Sequence, residues 1–227
     1  MRTIAVVVAA GAGVRMGAGM PKALVPLAGR PMVAWCLDAL ERSGRVEAIL
    51  VMAPAGRVRE AEMALGAAGA RATVLEGGPS RAESVWAGVR AAGEADLVLV
   101  HDAARPLLDP ALVGAVLDGV EGADGAIAAT PVADTLKRAG GRLLIEGTVE
   151  RAGLWQAQTP QAFPLATLAA AMESAAAAGT LAEATDCAAL VEAAGGRVRL
   201  VPSGMPNPKV TTPADLAVVE ALLAARG

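Results

Sequence analysis

The sequence predicts an α/β protein: a mostly parallel sheet flanked by helices, with an extended β-hairpin arm. Three observations carry that prediction. Short runs rich in Val, Ile and Leu recur along the chain without the polar alternation of a half-wet strand, as strands buried on both faces do. Segments with helical spacing lie between them, the alternation that yields parallel strands joined by right-handed crossovers. One later segment breaks this rhythm and alternates like a hairpin.

The strand-like runs are IAVVVAA (4–10), VEAILVMA (46–53), ATVLEG (72–77), DLVLVHD (96–102) and GAIAATPV (125–132). Helical spacing occupies 31–44, 56–69, 80–93 and 110–122, and Gly44, Gly69 and Gly93 read as glycine stops for the first three. Residues 132–163 alternate, with Ala139-Gly140-Gly141-Arg142 as the expected turn; an arm of that length packs on something, often a second subunit. Helices follow at 164–179 and 185–195, then a strand at 197–203 and a last helix from Pro213 to Arg226. The whole is expected to be one Rossmann-like domain of 227 residues, long enough to bury a real core and including an arm at about 132–158.

Composition narrows the function. Hydrophobic content is 54%, yet aromatics are 2%, so alanine-rich helix packing explains the count better than a membrane span does. No membrane partner is expected, and Met1-Arg2-Thr3 leads straight into the first strand without room for a signal peptide, which points to the cytoplasm. With 20 basic against 23 acidic residues and no basic run, a nucleic-acid footprint is not supported. Cys36 and Cys187 form neither a CxxC pair nor a zinc pattern and read as buried small hydrophobes. The single histidine excludes a multi-histidine metal site. Only Lys22, Lys137 and Lys209 are lysines, and in a chain that otherwise uses arginine a lysine can mark a need for a compact point charge.

Three stretches carry chemistry. After the first strand, AAGAGVRMGAGMPK (9–22) leaves almost no side chain, so backbone N–H groups can approach a ligand, and at a strand's carboxyl end such donors suit phosphate. The dinucleotide fingerprint fails, because Met16 stands at its third glycine and VMAPAG lacks the acidic residue after the second strand; the Walker pattern fails because Lys22 lies between Pro21 and Ala23. What remains is Arg15, which can fork onto two phosphate oxygens, and Lys22 as a mobile point charge. In EGGPSRAESV (76–85), Gly77-Gly78 make a turn, Ser80 and Glu83 a capping box, and Arg81 and Ser84 fall on the first helical turns; Ser84 reads either as a base or ribose contact or as helix surface. In LVHDAARPLL (99–108), Asp102 ends a strand where it can hold a magnesium ion bridging phosphates, Ala103 and Ala104 leave space, and Arg105 can anchor Asp102 or the loop. His101 is expected to orient that loop in preference to acting as a general base.

Together with DTLKR, ERAGLWQAQTPQAF, ATDCA and PKVTTPADL, these motifs occur in an order that spans nearly the whole chain and closely resembles the 2-C-methyl-D-erythritol 4-phosphate cytidylyltransferase family of non-mevalonate isoprenoid biosynthesis. The resemblance implies a nucleotidyltransferase (GT-A-like) fold, CTP and methylerythritol phosphate as substrates, Mg2+ at Asp102, and a homodimer through the arm. It implies catalysis by Arg15, Lys22, Arg151 and Lys209, and a nucleotide site of Ala9, Ala10, Gly11, Ala12, Gly13, Gly78, Arg81, Ser84 and Ala103. It places the acceptor against Asp102, Arg105, Thr135, Arg151, Thr185 and Lys209, with Thr135 and Arg151 delivered across the dimer interface. Val8, Ala23, Cys187 and the Pro206-Asn207-Pro208 run depart from the family's pattern without removing a charged group. Two other readings stay open: another nucleotidyltransferase acting on a sugar phosphate or molybdopterin, and a nucleotide-binding regulator without turnover.

Overall fold

The computed structural model describes residues 1–11 and 20–226. In chain order the elements are β1 (Thr3–Val8), a small ribbon of β2 (Pro26–Leu27) and β3 (Arg30–Pro31), α1 (Met32–Arg42), β4 (Ala48–Ala53), α2 (Val58–Leu65), β5 (Ala72–Glu76) and α3 (Arg81–Ala91). Then come β6 (Leu97–Asp102), α4 (Pro110–Asp118), β7 (Gly125–Pro131), β8 (Leu136–Ala139), β9 (Ile145–Val149), β10 (Trp155–Pro164), α5 (Leu165–Ala177), α6 (Cys187–Ala193), β11 (Val198–Pro202) and α7 (Pro213–Ala224).

Seven strands form one sheet in the order β11-β7-β10-β6-β1-β4-β5. All neighbours run parallel except β10, which is antiparallel to both β6 and β7. The chain leaves β1 toward β4 and β5, then returns to place β6 on the other side of β1. That reversal opens a crevice at the carboxyl ends of β1 and β6, where doubly wound sheets bind ligands. Val8 and Asp102 face each other there, as the last registered pair of the two strands.

Both faces of the sheet are covered, which is why its strands lack polar alternation. Ala5 and Val7 turn toward Val33, Leu37 and Leu40 of α1 and Val113 and Val116 of α4. Ile4 and Val6, one residue out of phase, turn toward Val85 and Val89 of α3 and Leu168 and Met172 of α5. Each such fully buried aliphatic side chain contributes about 2 kcal/mol of transfer free energy. Gly88 lets α3 lie against β1, for a Cβ there would stand 2.5 Å from Val6 Cγ1. Helix α7 closes a third cluster with Leu27, Met32, Leu107 and Val210 through Val219.

Two expectations are corrected. Helix α2 stops at Leu65, not at Gly69, because Gly66 already takes the left-handed φ of +47°; Gly69 ends a short 3-10 turn instead. The hairpin is shorter than 132–163: only β8 and β9 pair as an arm, and β10 leaves it to enter the main sheet. Alternation alone does not distinguish an arm from an antiparallel strand inside a sheet, and Gln161, Ala162 and Phe163 are buried there. The arm's turn also falls later than expected, with positive φ at Arg142 and Leu143 and none of its glycines carrying it.

Candidate active site

A pocket of about 260 Å3 opens at the carboxyl ends of β1 and β6. Its floor is the stretch after β1. Ala9 is held by its N–H to Met52 O at 3.0 Å, and Gly11 O receives the Lys22 N–H at 3.3 Å, so the ends of the small-residue loop are tied together. Ala9, Ala10, Gly11 and Lys22 line the pocket. Ala12, Gly13 and Arg15 lie outside the described residues.

One wall is the turn into α3. Ser80 Oγ accepts from Glu83 N–H while Glu83 Oε2 accepts from Ser80 N–H, the expected capping box. Ser84 is fully buried, and its hydroxyl is within reach of two acceptors, Ser80 O at 2.8 Å and Gly78 O at 3.0 Å. It is therefore neither helix surface nor idle: it pins the glycine turn against the helix and still lines the pocket. Gly78 has no room for a side chain, since a Cβ would meet Glu83 Cβ at 2.5 Å.

Asp102 stands opposite. Its Oδ1 accepts from Arg81 Nε at 2.9 Å and its Oδ2 from Lys209 Nζ at 2.7 Å. Burial on its own would raise the carboxyl's pKa, but the two cations outweigh it and hold the group well below the usual carboxylate range. Burial likewise acts to lower the Arg81 pKa, and the adjacent Asp102 and Cys187 raise it above the ordinary arginine value. Asp102 is thus a fixed anion between two fixed cations. Among the described residues no group of three His, Cys, Asp or Glu stands ready to cage a metal. A lone carboxylate, each oxygen keeping a second lone pair, fits a hard divalent cation whose remaining ligands are phosphate and water oxygens.

Ala103 lines the pocket beside Asp102. Arg105 lies past it and lines a second cavity with Gln158, Asn207 and Lys209, so Lys209 borders both spaces. Arg105 Nη1 donates to Asn207 O at 2.7 Å. His101 is wholly buried and lines neither space; burial lowers its pKa to about 4, so it is neutral at physiological pH. It orients the loop, as expected, through Nε2 to Arg105 O at 3.0 Å, more deeply buried than the sequence suggests. Both cysteines are buried; burial raises the Cys36 thiol above its ordinary value and the Cys187 thiol to about 11.

Four expected residues line neither cavity within this chain: Gly78, which lies behind the wall with its carbonyl within reach of the Ser84 hydroxyl, and Thr135, Arg151 and Thr185. Thr135 and Arg151 sit exposed at the base of the arm, where Arg151 Nη1 donates to Ala133 O. Thr185 is exposed and lines neither cavity, while its neighbour Asp186 caps α6 through Ala189 N–H and accepts from Gln161 Nε2. Two residues that sequence reasoning left without a role prove central behind the site, Thr159 and Asn207. The only available signals were the QTPQ motif around Thr159 and the fact that Asn207 is the single asparagine of the chain.

Comparison with known proteins agrees with this geometry. The family model described as IspD, 2-C-methyl-D-erythritol 4-phosphate cytidylyltransferase, matches residues 3–225. A 2-C-methyl-D-erythritol 4-phosphate cytidylyltransferase of Ralstonia nicotianae is 45% identical over 98% of this chain and 92% of its own length. One from Saccharopolyspora erythraea is 43% identical over 99% of this chain and all of its own. Among solved structures, the enzyme of that name from Thermus thermophilus superposes with a TM-score of 0.81 at 35% identity, covering 99% of this chain and 100% of its own. The mostly parallel seven-stranded sheet, the pocket at its switch point and the full-length matches converge: the chain belongs to the 2-C-methyl-D-erythritol 4-phosphate cytidylyltransferase family.

Proposed function

We propose that the protein transfers the cytidylyl group of CTP to 2-C-methyl-D-erythritol 4-phosphate, releasing pyrophosphate in non-mevalonate isoprenoid biosynthesis. Membership of the family supports the reaction. The observation that carries its assignment to this pocket is the Arg81–Asp102–Lys209 array, which puts fixed charge between a pocket lined largely by small residues and a second cavity.

The reaction is one displacement. An oxygen of the acceptor's phosphate forms a bond to the α-phosphorus of CTP, and the bond from that phosphorus to the pyrophosphate oxygen breaks. The attacking phosphate monoester is already largely dianionic near neutral pH, so no general base is required. The obstacle is bringing two polyanions into line, and positioning with charge neutralisation answers it. Lys22 and Arg15 would meet the α-phosphate and the charge developing on it. The turn at Gly78 and Ser84 would receive the cytosine and Arg81 the nucleotide, with Arg105 and Lys209 on the acceptor's side. A magnesium ion held by Asp102 together with phosphate oxygens would, when bound, neutralise and orient those phosphates.

Thr135 and Arg151 enter this reading only through a second copy of the chain. A homodimer exchanging arms would place them beside the partner's acceptor cavity. The exposed Leu143, Leu144 and Ile145 on the arm are consistent with a surface awaiting cover. Among the described residues no helix is long and apolar enough to cross a membrane, and both cysteines are unpaired, in keeping with work in the cytoplasm.

The test is pyrophosphate release with Mg2+ from CTP, UTP, ATP and GTP, each with and without methylerythritol phosphate. Release that requires both CTP and methylerythritol phosphate supports the reading. Release with a different phosphorylated acceptor alone would assign another nucleotidyl transfer, and tight CTP binding without release would assign a regulator.

A further inference from the structure

Behind Asp102 the hydrogen bonds close into a ring. Thr159 Oγ1 lies 3.1 Å from His101 Nδ1, and His101 Nε2 lies 3.0 Å from Arg105 O. Arg105 Nη1 donates to Asn207 O at 2.7 Å, and Asn207 Nδ2 returns to Thr159 O at 3.5 Å. The four residues come from the end of β6, the loop after it, the strand β10 and the segment before α7. The register of β10 against β7 shifts between Ala157 and Gln161, and that irregularity holds Thr159. His101, Thr159 and Asn207 are all buried.

Every proton in the ring has one available place. A carbonyl only accepts, so His101 carries its proton on Nε2 and offers Nδ1 as an acceptor. Thr159 must then donate its hydroxyl proton to Nδ1, which leaves its oxygen to accept the Asp102 backbone N–H at 3.1 Å. Cys36 Sγ reaches the same Arg105 carbonyl at 3.6 Å. The ring reaches the charged groups by three routes: Arg105 directly, Asn207 along the chain to Lys209 two residues on, and Thr159 through Asp102, whose Oδ2 accepts from Lys209 and whose Oδ1 accepts from Arg81. The Ser84 hydroxyl, by contrast, is directed to Gly78 O and Ser80 O within the turn into α3.

We propose that His101 and Thr159 are positioning residues that fix Arg105 and Lys209 for the acceptor, so that they govern acceptor binding more strongly than nucleotide binding. This rests on the reading of Arg105 and Lys209 as the acceptor's side of the site. The hydroxyl of Thr159 is the link that sets all the others, because it alone both donates within the ring and receives the Asp102 N–H.

The test compares Thr159→Val, which keeps the shape and loses the hydroxyl, with Thr159→Ser, which restores it, in the full-length protein. The expected result is a KM for methylerythritol phosphate raised about ten-fold in the valine variant, the equivalent of about 1.4 kcal/mol. The CTP dissociation constant stays within about two-fold of the parent, and the serine variant recovers most of the lost KM. The proposal is overturned if Thr159→Val leaves that KM unchanged while Lys209→Ala raises it, a result that keeps the acceptor-side reading intact. If neither substitution moves it, both fall together. Equal weakening of CTP and acceptor would reduce the ring to a structural brace and overturn the proposal as well. Should the valine variant not fold, His101→Gln cuts the Thr159 link while its carboxamide can still reach Arg105 O, and the same three outcomes apply.

Discussion

Asp102 shows how much a single residue can be asked to do. Its carboxylate joins Arg81 to Lys209 and its backbone N–H is held by Thr159. Asp102→Asn keeps the shape and removes the charge, leaving Arg81 part-buried without its counter-ion. Breaking one partner of a buried pair costs about 3 kcal/mol, so a clear fall in Tm is expected along with loss of turnover. Lys22→Ala differs, because the lysine sits at the pocket's edge in a short 3-10 turn. Loss of a preorganised charge at the developing transition state lowers kcat by about 10²-fold, and a variant with near-normal kcat would remove Lys22 from the mechanism. At this scale the places of Asp102 and Lys22 on the pocket were legible in the sequence, because a carboxylate ending a strand and a lysine in a glycine-rich loop have few structural uses. Thr159 and Asn207 were not. Their work is done on other residues, through contacts 48 to 102 positions apart, and nothing local records it.

The turn into α3 is the element on which nucleotide recognition is expected to depend. Gly78→Ala would place a methyl group 2.5 Å from Glu83 Cβ and 2.8 Å from the Glu83 backbone carbon, atoms that cannot move without the helix start moving too. The expected outcome is a raised KM for CTP, with the KM for the acceptor less affected, measured in the same assay. Helix α7 offers a pH test outside the pocket lining. Asp215 accepts from Thr211 and Thr212 N–H and from the Thr211 hydroxyl, bonds that hold its carboxyl well below the usual range. A depressed folded pKa contributes stability above the unfolded value of about 3.9, lost as pH falls through the folded value. Asp215→Asn is therefore expected to lower Tm near neutrality, with the gap to the parent closing in strong acid; a gap independent of pH would contradict that assignment. The capping box at Ser80 and Glu83 was readable from sequence because its spacing is local. The true stop of α2 was not, since Gly66 and Gly69 are equally plausible stops until packing selects one.

For the whole molecule, alternation of buried strands and helices sufficed to give the mostly parallel sheet, its two covered faces and a ligand site at the strands' carboxyl ends. It did not reveal that β10 returns antiparallel between β6 and β7, because the alternating stretch from 132 to 163 reads as one hairpin and its second half is claimed by long-range pairing. The remaining arm, β8 with β9, is small and carries Leu143 at 89% exposure. Replacing 136–149 by a short glycine linker is expected to convert a dimer into a monomer, read by sedimentation, that binds CTP but turns over slowly. A parent that sediments as a monomer at working concentration would separate Thr135 and Arg151 from the reaction. One direct displacement is the reaction proposed for the site. Among the described residues lining the pocket, Ser80 and Ser84 are engaged in capping and turn bonds, and Asp102 and Lys209 are ion-paired. The most direct measurement is the stereochemical course at the α-phosphorus, using α-thio-CTP of one configuration and methylerythritol phosphate. Inversion is expected, and retention would show a covalent nucleotidyl-enzyme and contradict the direct displacement.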